Sequence, residues 1–153
     1  MKAEEDDKVV NVGKAGRSVD ESFTEEEREN CRYFFNETSG VTFEDVFIPV
    51  TMNRGFRKPA VIHAWWMPAH SSGLFASSGL TVLYTHGNAD NISFFKKLYA
   101  FLTVELGVNV FAWDFPGFGR SGGDASESSI RAAAEDMMQY LKSKRWGVVV
   151  FMA

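Results

Sequence analysis

The stretch Asp114 to Asp124, DFPGFGRSGGD, decides how this chain is read, because three patterns overlap in it. Gly117-Phe118-Gly119-Arg120-Ser121-Gly122 fits G-x-G-x-x-G, the glycine pattern that cradles a dinucleotide pyrophosphate. Gly119-Arg120-Ser121-Gly122-Gly123 fits G-x-S-x-G, the turn that presents a nucleophilic serine. The third reading is a glycine-rich turn between a strand and a helix. A dinucleotide cradle needs the helix to open within the motif, so that its first N–H groups point at phosphate. Here the next helix cannot begin before Asp124 or Ser126, Pro116 stands between strand and first glycine, and the following strand ends at Phe151-Met152-Ala153 without a ribose-binding carboxylate. A nucleophile elbow needs its serine at a sharp strand-to-helix turn with the histidine later in the chain. Ser121 lies well past Phe115, and His63, His70 and His86 all precede it. The turn is therefore the preferred reading. A nucleotide-binding half-domain remains the least favoured alternative.

Outward from that turn, the sequence changes style along its length. VTFEDVFIPV (41–50) carries Val41, Phe43, Val46, Ile48 and Val50 as the apolar members of a strand. TMNRGFRKP (51–59) reads as a turn and AVIHAWWMP (60–68) as a second strand, which together make an antiparallel hairpin at a sheet edge. AHSSGLFASSG (69–79) reads as a flexible connection. LTVLYT (80–85) and VNVFAWDF (108–115) are continuous apolar runs, the mark of strands covered on both faces. Between them the spacing predicts a helix of about 14 residues, with Phe94, Phe95, Leu98, Phe101 and Leu102 on one side, ended by Gly107. A second helix begins near Ser126, with Ile130, Ala134, Met137, Met138 and Leu141 as its buried stripe and Arg131 paired with Glu135. Lys142, Lys144 and Arg145 suit its C-terminal dipole, and VVVFMA (148–153) starts another strand. The order is α/β: a hairpin, then two βαβ units and a parallel sheet with helical cover, about five strands in all.

Composition narrows the function classes. The 153 residues are 45% hydrophobic and 14% aromatic, which suits one globular domain. Residues 1 to 30 hold ten Asp and Glu against five Lys and Arg, so the net charge of −4 belongs to the N-terminal part. We expect a mobile acidic arm over 1–22, a short helix and linker over 23–40, and the folded domain over 41–153. No basic stripe points to nucleic acid, no run reaches the roughly 20 apolar residues of a membrane span, and His and Asp show no metal-ligand spacing. No cofactor is expected. Cys31 alone forms no internal disulfide, and MKAEEDDKVVNVGK has no apolar signal core, so the expected compartment is the cytoplasm.

TVLYTHGNADNISFF (81–95), then GVNVFAWDFPGFGRSGG (107–123), then a helix near ASES (125–128) resembles the α/β-hydrolase fold. It is most similar to the branch of serine-aminopeptidase-like, monoacylglycerol-lipase-like and depalmitoylase-like serine hydrolases. In that family an HG-x-x loop follows the third strand and a D-x-x-G-x-G-x-S loop follows the fourth. His86-Gly87-Asn88-Ala89 and Asp114, Gly117, Gly119 and Ser121 match them in order. The resemblance implies that Asn88, or second Ala89, gives a backbone donor to the oxyanion hole. It implies that His86 and Gly87 shape that loop, and that Asp114 and Ser121 tie down the other. It further implies that the strand GVVVFMA (147–153) runs into G-x-S-x-G, so the nucleophile, acid and histidine would lie beyond Ala153. On that expectation the chain is the N-terminal half of a hydrolase for esters, thioesters or amides and inactive alone. Its partner would be a small acyl or peptide-like substrate in the full-length protein; the alternative is a non-catalytic interaction module, a pseudo-hydrolase that pairs with another chain, a second copy included, through an exposed edge strand.

Overall fold

A computed structural model of the chain describes residues 41–50, 58–87, 91–144 and, as backbone, 149–152. The expected acidic arm and short helix over 1–40, the turn over 51–57, Asn88, Ala89 and Arg145 lie outside the described residues. Five strands form one sheet: β1 (Glu44–Pro49), β2 (Val61–Met67), β3 (Thr81–Thr85), β4 (Asn109–Trp113) and β5 (Val149–Met152), in spatial order β1-β2-β4-β3-β5. β1 and β2 are the antiparallel hairpin, with Phe47 opposite His63, and β2 runs antiparallel to β4. β3 lies parallel to both β4 and β5. The residues capable of a central strand are the uninterrupted apolar ones: Leu83, Val110, Phe111, Ala112 and Trp113 are fully buried.

Alternation along the strands sorts these side chains onto two faces. Trp65, Met67, Val82, Tyr84, Val110 and Ala112 point to one core, which the helical run between β3 and β4 covers with Ile92, Tyr99 and Leu102. Ile62, Ala64, Leu83, Phe111 and Trp113 point to the other, covered by α2 (Glu127–Ser143) through Ala132, Ala133, Met137 and Leu141. The connections after β3 and β4 thus leave the sheet to opposite faces. Adjacent parallel strands whose connections diverge in this way open a crevice at their carboxyl ends, where α/β sheets bind ligands.

The two helical segments differ from their sequence readings in instructive ways. The first begins as a 3-10 turn (Ile92–Phe95), passes through one α turn, α1 (Lys96–Ala100), and ends as a π turn (Phe101–Glu105). Phe94 and Phe101, expected in its buried stripe, are 68% and 51% exposed. A stripe drawn at one constant residue-per-turn value cannot hold through a tight turn followed by a wide one. Tyr99 and Thr103 take the buried positions instead. In α2, Ser126 is the N-cap and makes a reciprocal cap with Ser129. Arg131 pairs at 2.8 Å with Glu127, one turn before it, where Glu135, one turn after it, was expected; the acid thus lies N-terminal to the base, the better order for a helix.

The connection over 69–79, expected to be flexible, is docked onto the end of the first helical run. His70 N–H donates to Thr103 O, Leu74 N–H to Glu105 O and Phe75 N–H to Leu106 O. A Cβ on Gly73 would stand 2.2 Å from Gly107 Cα, so the two backbones touch because neither residue has a side chain. No helix among the described residues is long and apolar enough to cross a membrane.

Candidate functional site

Thr85 and Trp113 are register partners at the ends of β3 and β4, so His86 and Asp114 leave the sheet side by side. Both are buried. The ring of His86 donates from Nδ1–H to Gly87 O at 2.7 Å, and its Nε2 accepts the Phe115 N–H at 3.0 Å. Those two contacts fix one neutral tautomer, protonated at Nδ1. Phe115 and Phe118 close over the ring, with centroids 4.2 and 5.4 Å away. His86 thus joins the loop after β3 to the loop after β4, and its free lone pair is spent on a backbone N–H. Gly87 is exposed at the start of the segment that would carry the acyl-oxygen donor.

Asp114 has no water-facing surface to speak of, and three neighbours use its carboxylate. Its Oδ1 accepts the Ile92 N–H at 2.9 Å, its Oδ2 accepts the Arg120 N–H at 3.4 Å, and the same Oδ2 lies 3.4 Å from His63 Nδ1. Its backbone N–H donates to His63 O, continuing the β2–β4 ladder past the strand end. Gly119 sits against the carboxylate at φ +48°, where a Cβ would come within 2.1 Å of Oδ2. Gly117 N–H donates to Gly122 O, and Gly122 N–H donates to Val61 O, so the loop is closed on itself and on β2. The N–H groups of Gly117, Phe118, Arg120 and Ser121 bond within the loop and that of Gly122 bonds β2, and a carboxylate lies under Gly119, an arrangement unlike the open cradle of a pyrophosphate site.

Ser121 is fully buried. Its hydroxyl donates to Asp114 O at 2.7 Å and accepts the His63 backbone N–H at 3.0 Å. Both bonds go to main chain, none to an imidazole, and they hold the loop against β2. Asp114, Gly117, Gly119 and Ser121 therefore come together in one tied loop, beside His86 and Gly87.

Three residues of this cluster escaped sequence reading: Asp45 on β1, His63 on β2 and Arg120 in the loop. Asp45 Oδ1 accepts from His63 Nε2 at 2.6 Å, Trp65 Nε1 at 3.0 Å and Arg120 Nη1 at 3.2 Å. The Arg120 guanidinium also lies over the Phe47 ring, 5.2 Å from its centroid. The available signal was the adjacent acids Glu44 and Asp45 in β1 and the lone His63 in β2. Only the register, with Phe47 opposite His63, puts Asp45 and His63 on the same face. Burial alone would push the Asp45 carboxyl up, but the His63 bond, the charges of His63 and Arg120 and the Trp65 N–H outweigh it and hold Asp45 below its ordinary 3.8.

A folded-state value below the unfolded one means that Asp45 adds stability above pH 3.8, and that this is lost as pH falls through its lower folded value. Asp45→Asn is therefore expected to be less stable than the parent at neutral pH and to lose less on acidification below pH 4. Urea midpoints at closely spaced pH values check this; parallel acid limbs for the two proteins would refute it.

No protein-family profile matches the chain. The uncharacterised protein YfhR of Salmonella typhi is 31% identical over 83 residues, covering 54% of this chain and 28% of YfhR. The human alpha/beta hydrolase domain-containing protein 17C is 35% identical over 72 residues, 47% of this chain and 22% of that protein. The chain thus spans about a quarter of the length of these curated relatives. Among solved structures, the esterase Pf2001 of Pyrococcus furiosus superposes with a TM-score of 0.56 at 21% identity, over 73% of this chain and 41% of the esterase. Topology, the ordered loop pair and these likenesses agree: the chain has part of the α/β-hydrolase fold.

Proposed function

We propose that this chain contributes the front of a serine hydrolase that cleaves an ester, thioester or amide bond. The observation that carries the proposal is the pairing of His86-Gly87 with the Asp114–Ser121 loop at the carboxyl ends of two adjacent parallel strands. In this reading the segment after Gly87 turns a backbone N–H, at Asn88 first and Ala89 second, toward the substrate carbonyl oxygen. Such a donor acts on charge that develops in the transition state, and one of them is worth about 10²–10³ in kcat. The substrate is a small acyl or peptide-like molecule, in keeping with the aminopeptidase-like, monoacylglycerol-lipase-like and depalmitoylase-like branch, and the compartment is the cytoplasm.

The nucleophile and its base come from elsewhere in the full-length protein. Ser121 is bonded to main chain at both ends of its hydroxyl. The Nε2 lone pair of His86 is engaged by Phe115, and His63 is enclosed by two carboxylates. His70 Nδ1 does accept the Ser72 hydroxyl at 2.6 Å, yet it also accepts the Ser72 N–H, as in a local turn. That pair follows Met67, whose register partner is Val110, at the opposite end of the sheet from His86. Oxyanion donors without a nucleophile–base pair leave only residual activity. The 153-residue chain is thus expected to take no label from a serine-directed fluorophosphonate and to leave p-nitrophenyl acetate uncleaved above background. Stoichiometric label mapped to Ser121 or Ser72 would overturn the reading.

A further inference from the structure

We propose that Asp45, His63 and Arg120 form a charge clamp that positions Asp114, and through Asp114 the exit of the loop that follows β3. His63 is the positioning residue at its centre. The service to catalysis rests on the reading of residues 86–89 as an amide cradle; the positioning itself does not.

The geometry runs in one direction from the hairpin to the loop. Ile92 is the first residue of the helical run after that loop, and its N–H donates to Asp114 Oδ1 at 2.9 Å. At the entrance, His86 accepts the N–H of Phe115, the residue next to Asp114. Two consecutive residues after β4 therefore hold both flanks of the segment 87–91. A carboxylate buried as deeply as Asp114 stays ionised only with compensating donors and charge. The ring of His63 supplies them: Nδ1 faces Asp114 Oδ2 at 3.4 Å while Nε2 faces Asp45 Oδ1 at 2.6 Å. In this clamp both ring nitrogens donate, one to each carboxylate. Arg120 Nη1 on the same Asp45 oxygen balances the second carboxylate.

The charged and titratable groups around His63 come from three segments. They are Asp45 on β1, Asp114 and Arg120 after β4, and His86 after β3, whose Nε2 is 3.8 Å from Asp114 Oδ1. Asp114 is thus flanked by two imidazoles with different contacts: His63, with a carboxylate oxygen at each ring nitrogen, and His86, with Nδ1 on Gly87 O and Nε2 on the Phe115 N–H.

The test is a two-bond ¹H–¹⁵N correlation on the chain labelled with ¹⁵N-histidine at neutral pH. The expected spectrum shows His63 with the pattern of a doubly protonated ring and His86 as the Nδ1–H tautomer. A neutral pattern for His63 overturns the clamp, and this reading needs no variant. In His63→Gln, hydrogen exchange at the Ile92 amide is expected to accelerate about tenfold relative to Ile130, whose acceptor is Ser126 O at the start of α2. Asp114→Asn keeps an oxygen for Ile92 and is expected to accelerate it less. Equal acceleration of Ile92 and Ile130 in His63→Gln would refute the positioning role. Fluorophosphonate labelling bears on the cradle reading alone and the imidazole pattern on the clamp alone, so the two fail separately.

Discussion

Gly119→Ala is expected to destabilise the fold by about 3–5 kcal/mol, the range for disrupting a buried charged network. The added Cβ would lie 2.1 Å from Asp114 Oδ2 and 2.4 Å from its Cγ. The carboxylate cannot swing aside without releasing the Ile92 N–H from Oδ1 and leaving His63 uncompensated. The cost is separable from that of a left-handed backbone. Gly79 has φ +67° and would meet nothing within 4 Å, so Gly79→Ala isolates the conformational term, about 1–2 kcal/mol. Urea denaturation of both variants, followed by tryptophan fluorescence, measures the difference. Equal losses at the two positions would mean that the Asp114 carboxylate yields freely, and the account of the loop as a tied structure would fail.

Asp114→Ala is the second large effect, also about 3–5 kcal/mol, since it removes one member of a buried charged pair and leaves the other. It strips the acceptor from the Ile92 and Arg120 N–H groups and the counter-charge from His63 Nδ1. Asp114→Asn should lose less, because an amide oxygen still serves Ile92. Coupling is the sharper readout. If Asp114 and His63 act as a unit, the double variant Asp114→Ala/His63→Ala loses clearly less than the two single losses added together. Strict additivity in denaturant unfolding would show that the two side chains do not support one another.

The parts of the fold that were legible in the sequence are those governed by local rules. Continuous apolar runs marked β3 and β4 as covered strands, Gly107 ended the first helical run, and Ser126 capped the second helix. Such features depend on a few neighbouring residues, which a one-dimensional reading sees. Phe94 and Phe101 were misplaced because the run changes from 3-10 to α to π geometry, and no single period describes all three. The docking of 69–79 was hard to see because the N–H groups of His70, Leu74 and Phe75 bond backbone carbonyls, which carry no signature in the sequence.

The site divides along the same line. The loop pair at His86-Gly87 and Asp114–Ser121 stands on strand ends that apolar runs announce. Asp45, His63 and Arg120 meet only through hairpin register and a long loop closure, and Arg120 is 75 positions from the carboxylate it holds. Asp45 opposite Trp65 and Phe47 opposite His63 is one of several pairings that strands of this length allow; a shift of one residue would turn His63 to the other face. The same tertiary contacts explain why Ser121, a serine in a motif that suggests a nucleophile, is instead a peg between Asp114 and His63.

The most direct test of the central claim, that these strands are the front of a serine hydrolase whose attacking residue is contributed elsewhere, is the messenger sequence across and beyond codon 153. The account predicts that β5 continues in frame into a G-x-S-x-G turn, followed later by an acidic residue and then a histidine. A reading frame that runs on from β5 without that turn, or that stops there in every transcript, would contradict it.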